Sequence, residues 1–81
     1  MTLYVGNLPY QITENELQNV FAAHGTVSSV KIIRDKMTGR SKGFGFVEMP
    51  NDAEGQAAVS GVDGQNVNGR PLKVNEAREK Q

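Results

Sequence analysis

The chain has 81 residues, with nine basic and nine acidic side chains and no cysteine. A chain of this length can bury one small core and not two, because it removes only about 60–65% of its unfolded surface from water. Without cysteine, neither a disulfide framework nor a thiolate metal site can supplement that core, and a reducing compartment such as the cytoplasm is expected. No apolar run approaches the ~20 residues that span a bilayer, and the first residues lack a signal-peptide pattern, so no membrane partner is expected.

The charged side chains are unevenly distributed along the chain. All nine basic residues lie after residue 30, whereas the two segments that read as helices begin with acids, Glu14 and Glu16 in the first and Asp52 and Glu54 in the second. Acids in a first helical turn complement the helix dipole. A net charge of zero can therefore conceal a basic face and an acidic back, although ordinary solvated charges would give the same total.

The first half of the chain predicts a strand, a helix and a second strand. Residues 2–6 form a short β-rich run that ends in turn-forming residues. Thr13 and Glu16 have the spacing of a capping box, which predicts a helix from Glu14 to near Gly25. Residues 27–34 are rich in β-branched side chains and predict the second strand.

The second half predicts a strand, a helix and a final strand. Residues 43–49 alternate as a strand does, which directs Phe44, Phe46 and Glu48 to one and the same face. Asn51 with Glu54 caps a second helix, which is followed by a loop at residues 63–69 and a last strand at residues 71–75. The predicted order of elements is β-α-β-β-α-β.

Two amphipathic helices can cover only one face of a four-stranded sheet. The predicted order therefore indicates an α+β two-layer sandwich of the ferredoxin-like type, with a four-stranded antiparallel sheet and two helices on one face. The other face of the sheet is expected to be open to water.

Side-chain alternation assigns most strand residues to one face of the sheet. Six apolar residues are expected to face the helices: Leu3, Val5, Val30, Ile32, Leu72 and Val74. Their neighbours are then directed to solvent: Tyr4, Lys31, Ile33, Lys73 and Asn75. In the third strand Phe44 and Phe46 alternate with Gly45 and Val47, and periodicity alone leaves open which pair faces the helices.

Two segments resemble motifs of a known family. Residues 3–8, LYVGNL, are similar to the shorter ribonucleoprotein motif of the RNA-recognition motif family, and residues 42–49, KGFGFVEM, are similar to its longer motif. The departure is Met49, where an aromatic residue is usual, and alternation directs this side chain to the core. The resemblance covers residues 2–77 and extends most closely to the small single-domain RNA-binding proteins of bacteria, notably cyanobacteria.

The resemblance implies that Phe44 and Phe46 face outward and, with Tyr4, form a stacking surface for the bases of single-stranded RNA. It further implies that Tyr4 and Phe46 each carry a base, while Phe44 packs between two riboses. The candidate RNA-binding residues are Tyr4, Asn7, Lys31, Arg40, Lys42, Phe44, Phe46, Lys73, Asn75 and Arg78. Among them, Lys42 is expected to pair with a phosphate, with Lys31, Lys73 and Arg40 as further candidates. The resemblance further implies that residues after the start of the last strand, including Asn75 and Arg78, read base edges.

The expectation is an RNA-binding domain at residues 1–77 with a short tail at residues 78–81, which acts without catalysis, metal or cofactor. Its expected partner is single-stranded RNA, in post-transcriptional regulation or RNA chaperoning. Single-stranded DNA is a further candidate, because stacking does not read the 2′-hydroxyl. The chain is expected to be a monomer, and its acidic helical side leaves room for a protein partner.

Two other functions fit this fold class. A peptide-binding variant of the family typically carries an Arg-any-Phe signature before the last strand, but residues 70–72 read RPL. An acyl-phosphate hydrolase would need a cationic loop after the first strand, and Asn7, Tyr10 and Gln11 supply no positive charge there. His24 stands near the end of a predicted helix, where a structural or solvent-exposed role is favoured over a catalytic one. For Tyr10 a packing role is favoured over base contact.

Overall fold

The computed structural model describes residues 1–39 and 41–77, except for the side chains of residues 41 and 42. The elements are, in chain order, strand β1 Thr2–Gly6, helix α1 Glu14–Ala22, strand β2 Ser29–Arg34, strand β3 Ser41–Glu48, helix α2 Asp52–Val62, strand β4 Asn66–Val67, strand β5 Arg70–Pro71 and strand β6 Lys73–Ala77. The predicted order is confirmed, with the short strands β4 and β5 added before the last strand. The predicted tail at residues 78–81 lies outside the described residues.

Four of the strands form one antiparallel sheet in the order β2-β3-β1-β6. Helix α1 packs against β2, while α2 packs against β1 and β6, so the two helices lie on one face of the sheet. The predicted α+β two-layer sandwich is confirmed. Its two central strands, β1 and β3, are the ones that carry the two ribonucleoprotein-like motifs.

The core lies between the helices and the sheet. Its buried apolar residues are Leu3, Val5, Leu8, Ile12, Leu17, Phe21, Ile32, Val47, Met49, Ala58, Val62, Leu72 and Val74. Val47 and Met49 are fully buried, as alternation predicted for Met49. Because Val47 occupies the inner side of β3 and Met49 follows the strand on the same side, Phe44 and Phe46 must point to the open face. The structure thus decides the direction that periodicity left open.

Helix α1 begins at the predicted capping box. The Thr13 hydroxyl accepts a hydrogen bond from the Glu16 backbone N–H (3.1 Å), and the Thr13 backbone N–H donates to the Glu16 carboxylate (3.1 Å). The helix ends slightly before the predicted end near Gly25, since the chain tightens into a turn in which the His24 N–H donates to the Phe21 carbonyl (2.9 Å). Within the described residues, neither helix is long and apolar enough to cross a bilayer.

The segment after α2 contains a short hairpin, although the sequence predicted a loop there. Strand β4 pairs with β5 around Asn68 and Gly69, both of which have positive φ, 51° and 87°. Asn-Gly favours this tight turn, because both central positions of a type I′ turn require positive φ. The last strand of the main sheet consequently begins at Lys73 and not at the predicted Pro71, which has no N–H to donate to a ladder.

Strand β3 carries a bulge near its beginning. Its register with β2 shifts between Ile32 and Arg34. Gly43 takes a positive φ of 88° here, and its carbonyl accepts a hydrogen bond from the Leu8 N–H (2.9 Å). The pairing of β3 with β1 remains regular from Phe44 onward, so the bulge leaves the two motif strands in register.

Replacing Thr13 with alanine should lower the free energy of unfolding by about 1 kcal/mol, because α1 loses the side-chain acceptor for one of its first N–H groups. Urea titration followed by circular dichroism measures this difference. Gln18→Ala, an exposed substitution within α1, is the matched control and should change the free energy of unfolding by less than about 0.5 kcal/mol. Equal stability of the Thr13→Ala variant and the unchanged chain would show that the cap contributes nothing.

Candidate functional site

The open face of the sheet is organised in rows that run across the strands, because antiparallel pairing sets residues directly opposite one another. The central row contains, from β2 to β6, Lys31, Phe46, Tyr4 and Asn75. All four are predicted binding residues, and all are exposed or partly exposed. Strand pairing therefore brings one cation, two aromatic rings and one amide into a line.

Two further rows flank the central row. The second row contains Phe44, Gly6 and Lys73. The third row contains Ser29, Glu48, Thr2 and Ala77. The charge of the open face changes along the strands, because the central and second rows each carry a lysine whereas the third carries a carboxylate.

Three aromatic rings cluster on the central and second rows. The ring centroids of Tyr4 and Phe44 lie 5.9 Å apart with planes inclined by 29°, so these two rings are close to parallel. Phe46 stands edge-on to both, at 6.0 Å from Tyr4 and 6.2 Å from Phe44. Each residue is only partly buried. This aromatic cluster of Tyr4, Phe44 and Phe46 presents apolar ring surface to solvent on a face that neither α1 nor α2 covers.

Gly6 allows the Tyr4 ring to lie flat over β1. A Cβ atom added at Gly6 would come within 2.8 Å of the Tyr4 hydroxyl oxygen and 3.0 Å of its Cε2 atom. The ring therefore occupies the space that any other side chain at position 6 would need, and it extends along the strand toward Phe44. Sequence reasoning missed this role. The available signal was a glycine two positions after an outward-facing aromatic residue, where alternation directs both to the same face.

The lysines of the open face are available to a ligand. Lys31 and Lys73 are exposed and form no ion pair within the described residues. By contrast, the Arg34 guanidinium lies 3.3 Å from the Glu14 carboxylate on α1 and is engaged within the protein. Because β2 and β6 are the outer strands of the sheet, the two lysines stand on opposite sides of the aromatic cluster.

A carboxylate marks one end of the open face. Glu48 is exposed and accepts a hydrogen bond from the Thr2 hydroxyl (3.0 Å). Sequence analysis placed Glu48 on the same face as the phenylalanines but assigned it no function. An ionised carboxylate accepts hydrogen bonds and repels phosphates, so this end favours base amino groups over the backbone of a nucleic acid.

Asn7 has a structural role at the end of β1. It takes a positive φ of 58°, its amide nitrogen donates to the Pro71 carbonyl (2.7 Å), and its amide oxygen accepts a hydrogen bond from the Arg70 guanidinium (3.4 Å). These bonds connect the loop after β1 to strand β5. The contact with RNA predicted for Asn7 stays a prediction.

Three predicted RNA-binding residues fall where the structure gives no account of the side chain. Arg40 and Arg78 lie outside the described residues, as does the side chain of Lys42. Their roles remain predictions. For His24, the sequence favoured a structural or solvent-exposed role over a catalytic one. Its ring lies against Gly61, where an added Cβ would collide with the imidazole.

The open face combines three kinds of group that a single strand of nucleic acid can use. Aromatic rings stack on planar bases, lysines attract phosphates, and an amide such as that of Asn75 can donate to and accept from base edges. A metal centre has no comparable support, since no group of three or more His, Asp or Glu side chains in the described part of the chain could hold a metal ion.

Comparison with known proteins finds a matching family model, similar relatives and similar solved structures. The family model for the RNA recognition motif matches residues 3–73. The Nostoc sp. protein RbpF is 51% identical over 81 residues, which cover 100% of this chain and 77% of RbpF. The crystal structure of RNA Binding Protein PG1 has a TM-score of 0.93 and 42% identity, covering 100% of this chain and 98% of that one. The structure of the Rna15 RRM with bound RNA (GU) has a TM-score of 0.86 and 31% identity, covering 96% and 83% of the two chains.

Replacing Gly6 with alanine should displace the Tyr4 ring from Phe44, because the added Cβ and the ring cannot occupy the same space. Aromatic ¹H–¹³C NMR measures this change as altered ring resonances of Tyr4 and Phe44, whose mutual ring-current shifts depend on their spacing. The methyl resonances of Leu17, which is buried between the layers, serve as the internal control and should remain in place. Unchanged ring resonances in the variant would contradict the role given to Gly6.

Proposed function

The chain belongs to the RNA recognition motif family, and on that premise we propose that it binds single-stranded RNA on the open face of its sheet. The aromatic cluster is the main support for this proposal. The centroids of its three rings lie at most 6.2 Å apart, and the rings remain partly exposed on the face opposite the helices. Aromatic surface gains free energy by leaving water. The core on the other side of the sheet does not bury these rings, so a planar partner accounts for them.

Each ring of the cluster has a distinct proposed role. Tyr4 and Phe46 lie opposite each other in the central row and each stack one base. Phe44, in the second row, packs between two riboses. This division follows the resemblance to the family, and the near-perpendicular placement of Phe46 against Phe44 is compatible with different ligand groups on the two rings.

Magnitudes limit the affinity of this surface. Base–aromatic stacking contributes roughly 1–3 kcal/mol per base, and the sum over the cluster must offset an association cost of at least ~4 kcal/mol. Stacking alone therefore leaves at most ~5 kcal/mol, less than the ~8 kcal/mol of a micromolar complex. We expect binding on the order of micromolar at a site of about two to four nucleotides, with phosphate contacts beyond the cluster supplying the remainder.

Phosphate contacts are proposed for the cations around the cluster. Lys31 and Lys73 are exposed and unpaired within the described residues, which supports their role. Single-stranded RNA that crosses the sheet from one outer strand to the other would pass both. The other residues proposed to contact the RNA, through phosphates or bases, are Asn7, Arg40, Lys42, Asn75 and Arg78.

The proposed activity is binding without catalysis, in post-transcriptional work such as RNA regulation or RNA chaperoning. Single-stranded DNA is expected to bind the same surface, because the rings stack on any base and do not read the 2′-hydroxyl. The peptide-binding alternative lacks its signature aromatic, because Leu72 occupies that position and is buried in the core.

Removing the Phe46 ring should weaken RNA binding about ten-fold, the order of one lost base stack. The measurement is fluorescence anisotropy of a labelled random single-stranded RNA, with the unchanged chain and the Phe46→Ala variant compared at one salt concentration. The double change Phe44→Ala, Phe46→Ala should weaken binding further. Phe46→Tyr keeps the ring and should bind within about two-fold of the unchanged chain.

Circular dichroism establishes that each variant is folded before its affinity is compared. Gln18→Ala, which lies on α1 away from the open face, is the matched surface control and should leave binding unchanged. If the folded double variant binds RNA as tightly as the unchanged chain, the open face is not the RNA-binding surface. Absence of binding by the unchanged chain at concentrations near millimolar would reject the proposed function altogether.

Salt dependence tests the proposed phosphate contacts. If three or four cations meet phosphates, the logarithm of the association constant should fall with the logarithm of salt concentration with a slope of about −2 to −3. Lys31→Gln and Lys73→Gln should each make the slope shallower by about 0.7. Arg34→Gln removes a cation that is already paired with Glu14 and should leave the slope unchanged. An association constant of the unchanged chain that does not vary with salt concentration would contradict the proposed phosphate contacts.

A further inference from the structure

A groove lies beside the open face, where the loop after β1 meets the β4–β5 hairpin. Its volume is about 470 Å³, and the residues that line it are Pro9, Tyr10, Gln11, Asn68 and Arg70. None of the residues proposed to bind RNA on the sheet lines this groove. It is therefore a separate concavity, formed by two segments that are distant in sequence.

Tyr10 is the aromatic residue of this groove. It is 63% exposed, so the sequence-based expectation of a packing role holds only for its contact with Arg70. The guanidinium carbon of Arg70 lies 5.2 Å from the centre of the Tyr10 ring, within the range of a cation–π interaction. Because most of Tyr10 remains exposed with Arg70 in place, ring surface is still accessible to a planar ligand.

Arg70 is held in position over this ring. Its guanidinium donates to the Asn7 amide oxygen (3.4 Å), and it forms no ion pair within the described residues. None of the groove residues is acidic, so the cation is left to an anionic ligand. Gln11 and Asn68 add amide groups that can both donate and accept hydrogen bonds. An aromatic ring, a guanidinium and two amides match the base, phosphate and base edge of one nucleotide.

The groove is continuous with the surface proposed to bind RNA. Asn7 follows Gly6 of the second row directly, and its amide nitrogen donates to the Pro71 carbonyl at the hairpin (2.7 Å). Pro71 in turn precedes Lys73 of the second row by two positions. An RNA strand that leaves the sheet at the end occupied by the second row therefore meets the groove next, away from the carboxylate of Glu48 at the opposite end.

We infer that this groove is a second base-binding subsite for the same RNA, in which one flanking nucleotide stacks its base on Tyr10 and places its phosphate against Arg70. The inference rests on the proposed function, since it extends the RNA site on the sheet. The subsite adds a contact beyond the aromatic cluster, and the affinity for RNA therefore depends on RNA length. Only one end of the bound strand can reach the groove, because the groove lies at one end of the sheet.

The test compares RNAs of different length. A short RNA of about three nucleotides covers the sheet alone, and two longer RNAs carry about three more nucleotides at the 5′ end or at the 3′ end. Affinities of each for the unchanged chain, Tyr10→Ala, Tyr10→Phe and the control Gln18→Ala are measured by anisotropy. A further pair of extended RNAs has abasic sites in the added segment, which keeps the phosphates and removes the bases.

The subsite predicts that one extension strengthens binding to the unchanged chain and that Tyr10→Ala cancels about five- to ten-fold of that gain, the order of one base stack. Tyr10→Phe should retain most of the gain, whereas abasic sites in the same extension should remove it. Binding of the short RNA should be the same for all four proteins. Circular dichroism and the short RNA together show whether Tyr10→Ala has disturbed the fold.

The two proposals fail in different ways. If the short RNA binds and depends on Phe46, but Tyr10→Ala weakens no extended RNA more than the short one, the sheet is the RNA site and the groove is not a subsite. An abasic extension that strengthens binding as much as the intact one also overturns base stacking on Tyr10. If the short RNA binds independently of Phe46, or no RNA binds, the proposed function fails and the subsite fails with it.

Discussion

The rest of this structure depends on the one-sided covering of its sheet. Two short helices bury one face of four strands. The apolar residues that alternate along those strands are therefore removed from water on that face only. The opposite face must then be polar or serve a partner. The aromatic cluster on that face contributes ring surface that the core does not need. Within the described residues, the exposure of these rings thus follows from the packing of both helices on the other face.

Strand order converts two separate motifs into one surface. The segments that contain Tyr4 and Phe46 are far apart in sequence, but they form adjacent central strands in which these residues lie directly opposite each other. A register shift of one residue would turn one ring to the other face. The absent side chain of Gly6 and the bulge at Gly43 adjust the surface locally without disturbing this register.

Charge is arranged by face, which explains how a neutral chain can suit a polyanion. Lys31 and Lys73 are unpaired on the open face, whereas Arg34 is neutralised by Glu14 at the helical side. Glu48 limits the cationic region at one end, and the groove with Arg70 continues it at the other. Net charge is a sum and contains no information on this separation.

Local sequence patterns determined the two helices, the four strands of the main sheet, their order and the inner faces of β1 and β6, because capping, turn chemistry and alternation act over a few neighbouring residues. They predicted the Thr13 cap and the burial of Met49, and the family resemblance predicted the outward direction of Phe44 and Phe46. Tertiary structure confirmed that direction. It also decided two features that depend on contacts formed in the folded chain, namely the position of the Tyr4 ring over Gly6 and the contact of Tyr10 with Arg70. Strand register and the placement of the β4–β5 hairpin create these contacts, and no local pattern encodes them.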